Sequence, residues 1–268
     1  MKQLKFLMAA LLMVMGVTLS SCLNSEEGEY DDIYCTALVN SNYLGYTYFE
    51  ASNGDKLYPT PASVAQIEAQ GYKISDYKMA LIQGRSLEKN ETTNTNTEPG
   101  KIDFTLTGFL PYEYGTAIVA ETMENMAQLA PETSPIITMK ISNGYQTIVP
   151  SQFNNNVVIL PIAWALQDSK DAYDKHQLAL ACSLDEVKSG DKEIVFYIRH
   201  DNGGDEKTET YAAPLYGYDI SEALEKFQEI AGNVPTKVII KAHENSQHST
   251  EIPENYTEYS IDYKVINK

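Results

Sequence analysis

Histidines and carboxylates are the residues of this chain best suited to metal binding or acid–base chemistry. The four histidines are His176, His200, His243 and His248. His243 and His248 stand five positions apart in a polar stretch, which is not the i, i+4 spacing of a metal-binding pair on a helix. We therefore expect surface histidines and no metal site.

The acidic run Asp201-Asn202-Gly203-Gly204-Asp205-Glu206 superficially resembles a calcium loop. It lacks the ligand spacing of an EF-hand and the bidentate glutamate that ends such a loop. Asn-Gly-Gly between two strands is typical of a hairpin turn. The run predicts a hairpin, and an ion site is the alternative.

No sequence motif for catalysis is present. The chain contains no GxSxG, HExxH, P-loop or GxGxxG pattern. With 37 acidic residues, carboxylate pairs that would suit a glycosidase arise by chance. The single tryptophan, Trp164, lies in an apolar run typical of a core, which argues against a broad platform for sugars. We expect no enzyme activity, no cofactor and no metal.

Tyrosine is unusually frequent, with 19 Tyr against 7 Phe. A tyrosine ring buries apolar area while its hydroxyl stays in water, so tyrosine suits half-exposed sheets and contact surfaces. Tyr211, Tyr216 and Tyr218 cluster around Pro214 and Gly217. They form a candidate surface for a protein or glycan partner, but ordinary sheet packing is the favoured interpretation.

Cys22 ends a leader of the bacterial lipoprotein type. Lys2 and Lys5 precede an apolar stretch over 6–19, and Leu19-Ser20-Ser21 leads to the cysteine. The apolar stretch is shorter than the roughly 20 residues of a membrane span. Residues 1–21 are thus predicted to be a signal peptide, with a lipid on Cys22. The alternatives are an uncut signal anchor and a plain secretory peptide.

An acidic tether over 22–32 follows the leader. It contains the run Ser25-Glu26-Glu27 and no basic residue, so it is expected to be solvated. Ser25, Glu26 and Glu27 are similar to an export signal for surface lipoproteins. We expect the protein in the outer membrane, facing outward, and a periplasm-facing anchor is the alternative.

The net charge of −17 limits the choice of partner. Loss of Lys2 and Lys5 with the leader makes the processed chain more acidic still, and such a field repels nucleic acid. We therefore expect no nucleic-acid binding. Cys35 and Cys182 lie in apolar runs, and the sequence leaves open whether they are paired or free.

Period-two alternation of apolar residues predicts an all-β protein. Short strands and a short helix near Ser63 over 33–132 predict a small OB-like barrel. About seven strands over 133–268, with one short helix beginning near Asp219, predict an antiparallel β-sandwich. The boundary is placed in the proline-rich segment 130–135.

Several segments together resemble the NigD-like lipoproteins of Gram-negative anaerobes. They are the leader, the run 29–34, the segment 53–59, the strand 194–202 and the C-terminal run 259–263. The resemblance implies an OB-type barrel followed by a β-sandwich. It also implies a non-enzymatic binding or bacteriocin-immunity role in the cell envelope, but no functional residues transfer with it. An accessory protein or enzyme in extracellular glycan or peptide processing is the alternative.

Overall fold

The computed structural model describes residues 31–42, 45–87, 100–142, 147–169, 171–247 and 249–266. The leader, Cys22, Ser25, Glu26, Glu27 and His248 lie outside the described residues. Strands dominate the described part, so the predicted all-β class is confirmed. Within those ranges no helix combines the length and the apolar character needed to cross a membrane.

The described chain divides into two compact units, 31–114 and 115–265. The boundary expected from the sequence stood later, between 132 and 133. Residues 118–120 pair as a strand with residues 181–183, which ties this stretch to the second unit.

The first unit is a closed five-stranded barrel. Its strands are β1 (Asp32–Ser41), β2 (Thr47–Ala51), β3 (Lys56–Pro59), β4 (Met79–Ser86) and β5 (Lys101–Pro111), in the order β1-β2-β3-β5-β4. β3 and β5 run parallel, whereas the other pairs are antiparallel. A helix, α1 (Pro61–Ala69), connects β3 to β4. This is the five-stranded OB-type barrel that the sequence predicted.

Every second side chain along the strands points into the barrel and fills its interior. Ile33, Phe49, Leu57, Ile82 and Phe104 point inward, and each is at most 1% exposed. Because successive residues of a strand face opposite sides, their polar neighbours lie on the outer surface.

Two local features shape the barrel. The Thr60 hydroxyl accepts a hydrogen bond from the Ser63 N–H and so caps α1, which Pro61 opens. The register of β4 on β5 shifts between Gln83 and Gly84, where a Cβ on Gly84 would lie 2.5 Å from the Phe104 ring. Only glycine permits that approach.

The second unit contains thirteen described strands and two helices, in chain order as follows: β6 (Glu113–Thr116), β7 (Ile118–Ala120), α2 (Met123–Leu129), β8 (Ile141–Ser142), β9 (Thr147–Ile148), β10 (Ser151–Gln152), β11 (Val157–Pro161), β12 (Trp164–Leu166), β13 (Gln177–Ser183), β14 (Glu193–Asp201), β15 (Thr210–Ala212), β16 (Leu215–Asp219), α3 (Ser221–Ala231), β17 (Lys237–Ala242) and β18 (Thr257–Asp262). The main sheets have the orders β18-β17-β14-β13-β7 and β10-β11-β16-β6. Two-stranded sheets, β12-β15 and β8-β9, complete the unit.

Both main sheets contribute to one hydrophobic core. Val158 and Leu160 of β11 join Phe196 and Ile198 of β14 in it. Helix α3 adds Phe227, which is fully buried. The strands thus form a sandwich, as predicted.

Two details of that sandwich differ from the prediction. β14 pairs with β17 in parallel, and β13 pairs with β7 in parallel, so the five-stranded sheet is mixed rather than antiparallel. The unit also contains two helices instead of the predicted one. The additional helix is the short α2, which Thr122 caps. A seven-residue helix lacks the repeated apolar stripe by which a sequence shows a longer one.

Candidate functional site

The greatest concentration of chemically capable side chains lies at one end of the mixed sheet. His176 Nδ1 is 2.8 Å from His200 Nε2, and His176 Nε2 is 3.2 Å from Asp205 Oδ2. His200 Nδ1 lies 3.0 Å from the Pro135 carbonyl oxygen. The pairing of Leu178 with His200 brings the start of β13 to the end of β14, and this register unites groups that are far apart in sequence.

The hydrogen-bond partners of His200 show which of its two ring nitrogens carries the proton. A carbonyl only accepts, so His200 Nδ1–H donates to Pro135 and His200 Nε2 accepts from His176 Nδ1–H. His176 Nε2 faces the Asp205 carboxylate, so His176 links Asp205 to His200, and His200 is neutral.

The pKa shifts agree with this assignment. Burial lowers the pKa of His200 to about 4, an effect that the nearby charge of His176 increases. For Asp205, burial acts to raise the pKa, but hydrogen bonds from Gln167 N–H, His176 and Lys207 N–H outweigh it. The pKa of Asp205 is consequently lowered.

The histidine–aspartate chain is closed to substrates. The His176 and Asp205 side chains are 1% and 2% exposed, and His200 is 1% exposed. Trp164 packs beside both histidine rings, at 6.5 and 6.3 Å between ring centroids. Because a general base must reach its substrate directly or through one water, this geometry fits a structural role.

The acidic run after β14 is a tight turn. Asp205 N–H donates to Asn202 O across the turn at 2.9 Å, and Gly203 and Gly204 have φ of +56° and +80°. Asp201 Oδ1 accepts the Gly203 N–H, and Asn202 Oδ1 accepts the Gly204 N–H. Across the part of the chain that the structure describes, no group of three or more His, Cys, Asp or Glu is placed to hold a metal.

The turn does not form the expected hairpin. β14 pairs with β13 and β17, whereas the next strand, β15, pairs with β12. Asn-Gly-Gly predicted the turn correctly, because glycine permits positive φ. The pairing of the flanking strands depends on contacts far away in the chain, which the dipeptide signal does not contain.

A second cluster surrounds Glu132. Its Oε2 lies 2.9 Å from Arg199 Nη1 and its Oε1 lies 3.0 Å from His243 Nδ1. The Tyr256 ring stacks on the His243 ring at 3.9 Å between centroids. The His243 side chain is 11% exposed and the Glu132 side chain is 5% exposed, so His243 is not the surface residue that the sequence predicted.

These contacts hold the segment 130–136 against the sheet. Thr133 N–H donates to His200 O, and Ile136 N–H donates to His243 O, each at 3.0 Å. Arg199 Nε donates to Ala130 O at 3.1 Å. The proline-rich segment expected to separate two domains is thus integrated into the second unit.

The three tyrosines predicted to face a partner have different environments. Tyr211 is 50% exposed on β15. Tyr216 packs on Trp164, at 5.9 Å between ring centroids. Tyr218 is 2% exposed, and its hydroxyl donates to Leu178 O. Only Tyr211 presents its ring to solvent, and sheet packing explains the other two.

Neither buried cysteine is in a disulfide. Cys35 lies in the barrel core and Cys182 lies in the sandwich core. Burial raises the pKa of Cys182 to about 12, which keeps its thiol protonated and unreactive at neutral pH.

A shallow cleft lies along α3. Its volume is about 210 Å³, below the roughly 300–1,000 Å³ that is usual for small-molecule sites. The cleft is lined by Asn155, Asn156, Leu224, Val234, Pro235 and Tyr263, among others. Glu225 is the one charged residue among those that line it, whereas a catalytic pocket brings several charged groups together.

Comparison with known proteins gives fold relatives only. No family model matches the sequence, and no curated protein matches it significantly. A candidate lipoprotein from Bacteroides fragilis NCTC 9343 aligns with 88% of this chain and 100% of its own, at 23% identity and a TM-score of 0.68. A protein of unknown function from Bacteroides vulgatus ATCC 8482 aligns over 87% and 92%, at 11% identity and a TM-score of 0.53.

A NigD-like immunity protein from Bacteroides caccae ATCC 43185 also aligns over 88% of this chain and 94% of its own, at 10% identity and a TM-score of 0.48. Since folds host many functions, likeness at these identities shows the fold alone. The fold that the resemblance implied is shared with the Bacteroides fragilis protein, at a TM-score of 0.68.

Proposed function

We propose that this protein is a lipid-anchored, non-enzymatic binding protein of the cell envelope, of the bacteriocin-immunity type. The observation that carries the proposal is the burial of its two histidine–carboxylate clusters. Their side chains are between 1% and 13% exposed, and their hydrogen-bonding groups hold protein segments together. The outer surfaces of the strands remain for binding.

The anchor is assigned to Cys22. Basic, apolar and small residues precede it in the order of a lipoprotein leader, and a neighbour in fold is named as a candidate lipoprotein. Ser25, Glu26 and Glu27 follow at once and direct the protein to the outer face of the outer membrane. In that position it meets secreted toxins and extracellular glycans.

The enzymatic alternative is tested with a protein that begins at residue 22 and carries Cys22→Ala, so that no lipid is attached. We expect no turnover on panels of glycans and peptides, because no buried cluster reaches a substrate. Glu132→Gln and His243→Gln serve as probes, and Asp262→Asn, at an exposed position on β18, is the matched control. Turnover that either probe abolishes and the control retains would refute the proposal.

The second candidate function is that of an accessory protein in extracellular glycan processing. It is favoured by the exposed Tyr46 and by the stacked rings of Tyr48 and Tyr58 on the barrel, which the sequence did not single out. An immunity role predicts that the lipidated protein protects a sensitive strain against a bacteriocin, whereas a glycan role predicts no protection.

A further inference from the structure

The outermost strand of the mixed sheet, β18, pairs with β17 on one edge and with no described strand on the other. Just beyond β18, Tyr263 N–H donates to Thr236 O at 2.9 Å, in the same register as β18 on β17. Hydrogen-bonded and non-hydrogen-bonded pairs alternate along antiparallel strands. The odd-numbered residues of β18 therefore bond to β17, whereas residues 258, 260 and 262 direct their N–H and C=O groups away from the sheet.

Gln152 shows how such outward groups are satisfied. Lys264 lies two positions beyond residue 262, so its backbone also points away from β17. Its N–H donates to Gln152 Oε1 at 2.9 Å, and its C=O accepts from Gln152 Nε2 at 2.7 Å. One side-chain amide thus makes the two hydrogen bonds that a residue of a neighbouring strand would make. Among the described residues, none makes such bonds to the backbone of Glu258 or Ser260 on this edge.

Glu258 and Ser260 form the accessible part of this edge. β10, which contains Gln152, contacts the C-terminal end of β18 and lies away from them. Both residues are exposed, and the Glu258 side chain is 60% exposed. β18 contains no proline, and its register on β17 has no bulge, so two common devices that protect an edge are missing. The edge can therefore accept an incoming strand.

The charges on the outer face of the sheet indicate which strand would fit. Lys241 stands opposite Glu258 in register, and Lys241 Nζ lies 3.3 Å from Glu258 Oε1. Opposite charges on facing residues stabilise a strand pair. A lysine or arginine opposite Glu258 on the next strand would continue this alternation. Tyr259 and Ile261, on the other face, belong to the hydrophobic core, so apolar residues of the incoming strand would pack beside them.

A second copy of this chain fits the edge poorly. Antiparallel pairing of Glu258 with Ser260 of another copy would make the two Glu258 side chains diagonal neighbours on one face, within about 8 Å of each other. Each chain also carries a net charge of −17, so two copies repel each other. The same charge attracts a basic partner.

We propose that the free edge of β18 binds an extended segment of a basic partner protein as an added β-strand. The backbone N–H and C=O groups of Glu258 and Ser260 pair with that segment. A lysine or arginine of the segment lies opposite Glu258, and apolar residues alternate with it. The inference rests on the proposed binding role and states the chemistry of the partner.

The test uses the protein that begins at residue 22 and carries Cys22→Ala, and it measures peptide binding by fluorescence anisotropy. The probes are labelled octapeptides in which lysine or glutamate alternates with valine, and a peptide with all its lysines before its valines. We expect the alternating lysine peptide to bind, and to bind more weakly as salt is added. The glutamate peptide should not bind. The block peptide should bind at least about fivefold more weakly, because it cannot place its charges on one face of a strand.

Substitutions at Ser260 isolate the backbone contact. Ser260→Pro removes an N–H that points away from β17, so the sheet loses no hydrogen bond, but the partner loses a donor and meets the proline ring. This variant should bind the alternating lysine peptide about tenfold more weakly or less tightly still. Ser260→Ala keeps the N–H and should bind like the parent chain. Thermal unfolding of both variants checks that the sheet is intact.

Two further measurements do not depend on a proline. Glu258→Gln should weaken binding of the lysine peptide about threefold. Its matched control is Glu193→Gln on β14, which changes another exposed glutamate that faces a lysine, Lys237, and should leave binding unchanged. Amide hydrogen exchange at Ser260 should be fast in the free chain and slower with the peptide bound.

The proposal is overturned if the alternating lysine peptide does not bind, if Ser260→Pro and Ser260→Ala bind it equally, or if the glutamate peptide binds as tightly. Dimers of the parent chain that Ser260→Pro dissociates would assign the edge to a second copy and would overturn it too. These outcomes leave the non-enzymatic role intact, because that role fails only when turnover is observed.

Discussion

At the scale of single residues, this protein uses ionisable groups as structural elements. His200 is kept neutral in the core because its Nδ1–H satisfies the Pro135 carbonyl and its Nε2 accepts from His176. Protonating the second nitrogen of His200 places a charge in a buried site and removes the acceptor that faces His176, so the fold is sensitive to acid.

Acid should therefore destabilise the protein through His200. Its pKa is about 4 in the folded chain and about 6.5 in the unfolded chain, so the unfolded chain takes up the proton first as the pH falls. Stability is lost progressively from about pH 6.5 down to about pH 4. Urea unfolding at about pH 7 and about pH 5 should show a loss on the order of 2 kcal/mol from this group.

His200→Gln is the control for that prediction. The variant should be less stable at neutral pH, because one amide cannot keep both hydrogen bonds of the ring, to His176 and to the Pro135 carbonyl, but its stability should fall less between the two pH values. Parallel losses in the variant and the parent chain would assign the titration to another group.

Residue-scale chemistry was the part least accessible from sequence. The spacing of His176, His200 and Asp205 matches no motif, because the pairing of β13 with β14 brings them together. The stacking of Tyr48 on Tyr58 was missed for the same reason, since the two rings meet only across the pair of β2 with β3. The core position of Trp164 followed directly from its apolar neighbours.

At the scale of elements, the tight turn after β14 depends on two glycines in different ways. Both Gly203 and Gly204 have positive φ. A Cβ on Gly203 would lie 2.5 Å from the Lys175 carbonyl oxygen, whereas one on Gly204 would meet nothing within 4 Å. Alanine at position 204 therefore tests backbone strain alone, whereas alanine at position 203 tests strain together with a steric clash.

Gly204→Ala should lower the free energy of unfolding by about 1 kcal/mol, the cost of a left-handed alanine. Gly203→Ala should cost about 3 kcal/mol or more, because the clash moves the 173–175 backbone beside His176. Urea denaturation of both variants at one pH measures the difference. Equal losses would show that Lys175 moves away freely and that the turn is not tightly packed.

The sequence predicted strands well and their partners poorly. Ile194, Phe196 and Ile198 alternate as expected and are buried. The side-chain period is two in parallel and antiparallel strands alike, so the parallel pairing of β14 with β17 left no trace in the pattern. Segment 130–136 has the composition of a linker. Its hydrogen bonds to His200 and His243, which no sequence pattern shows, hold it in the second unit.

At the scale of the whole molecule, an acidic chain forms two β-rich units, and we propose a lipid at its N-terminus. The net charge of −17 disfavours nucleic acid and anionic surfaces. In our proposal, a lipid on Cys22 supplies the membrane contact that this charge opposes. The class of fold was predictable from strand periodicity and resemblance, whereas the position of the unit boundary depended on the pairing of β7 with β13.

Protease shaving of intact cells tests the central claim, a lipid-anchored binding protein on the cell surface. We expect the parent protein to be cleaved while the outer membrane is intact, and Cys22→Ala to leave a soluble or unprocessed protein. Replacing Glu26 and Glu27 with alanine should protect the protein by retaining it inside. Cleavage of the parent chain only after the outer membrane is opened would contradict surface exposure, and membrane attachment of Cys22→Ala would contradict the anchor.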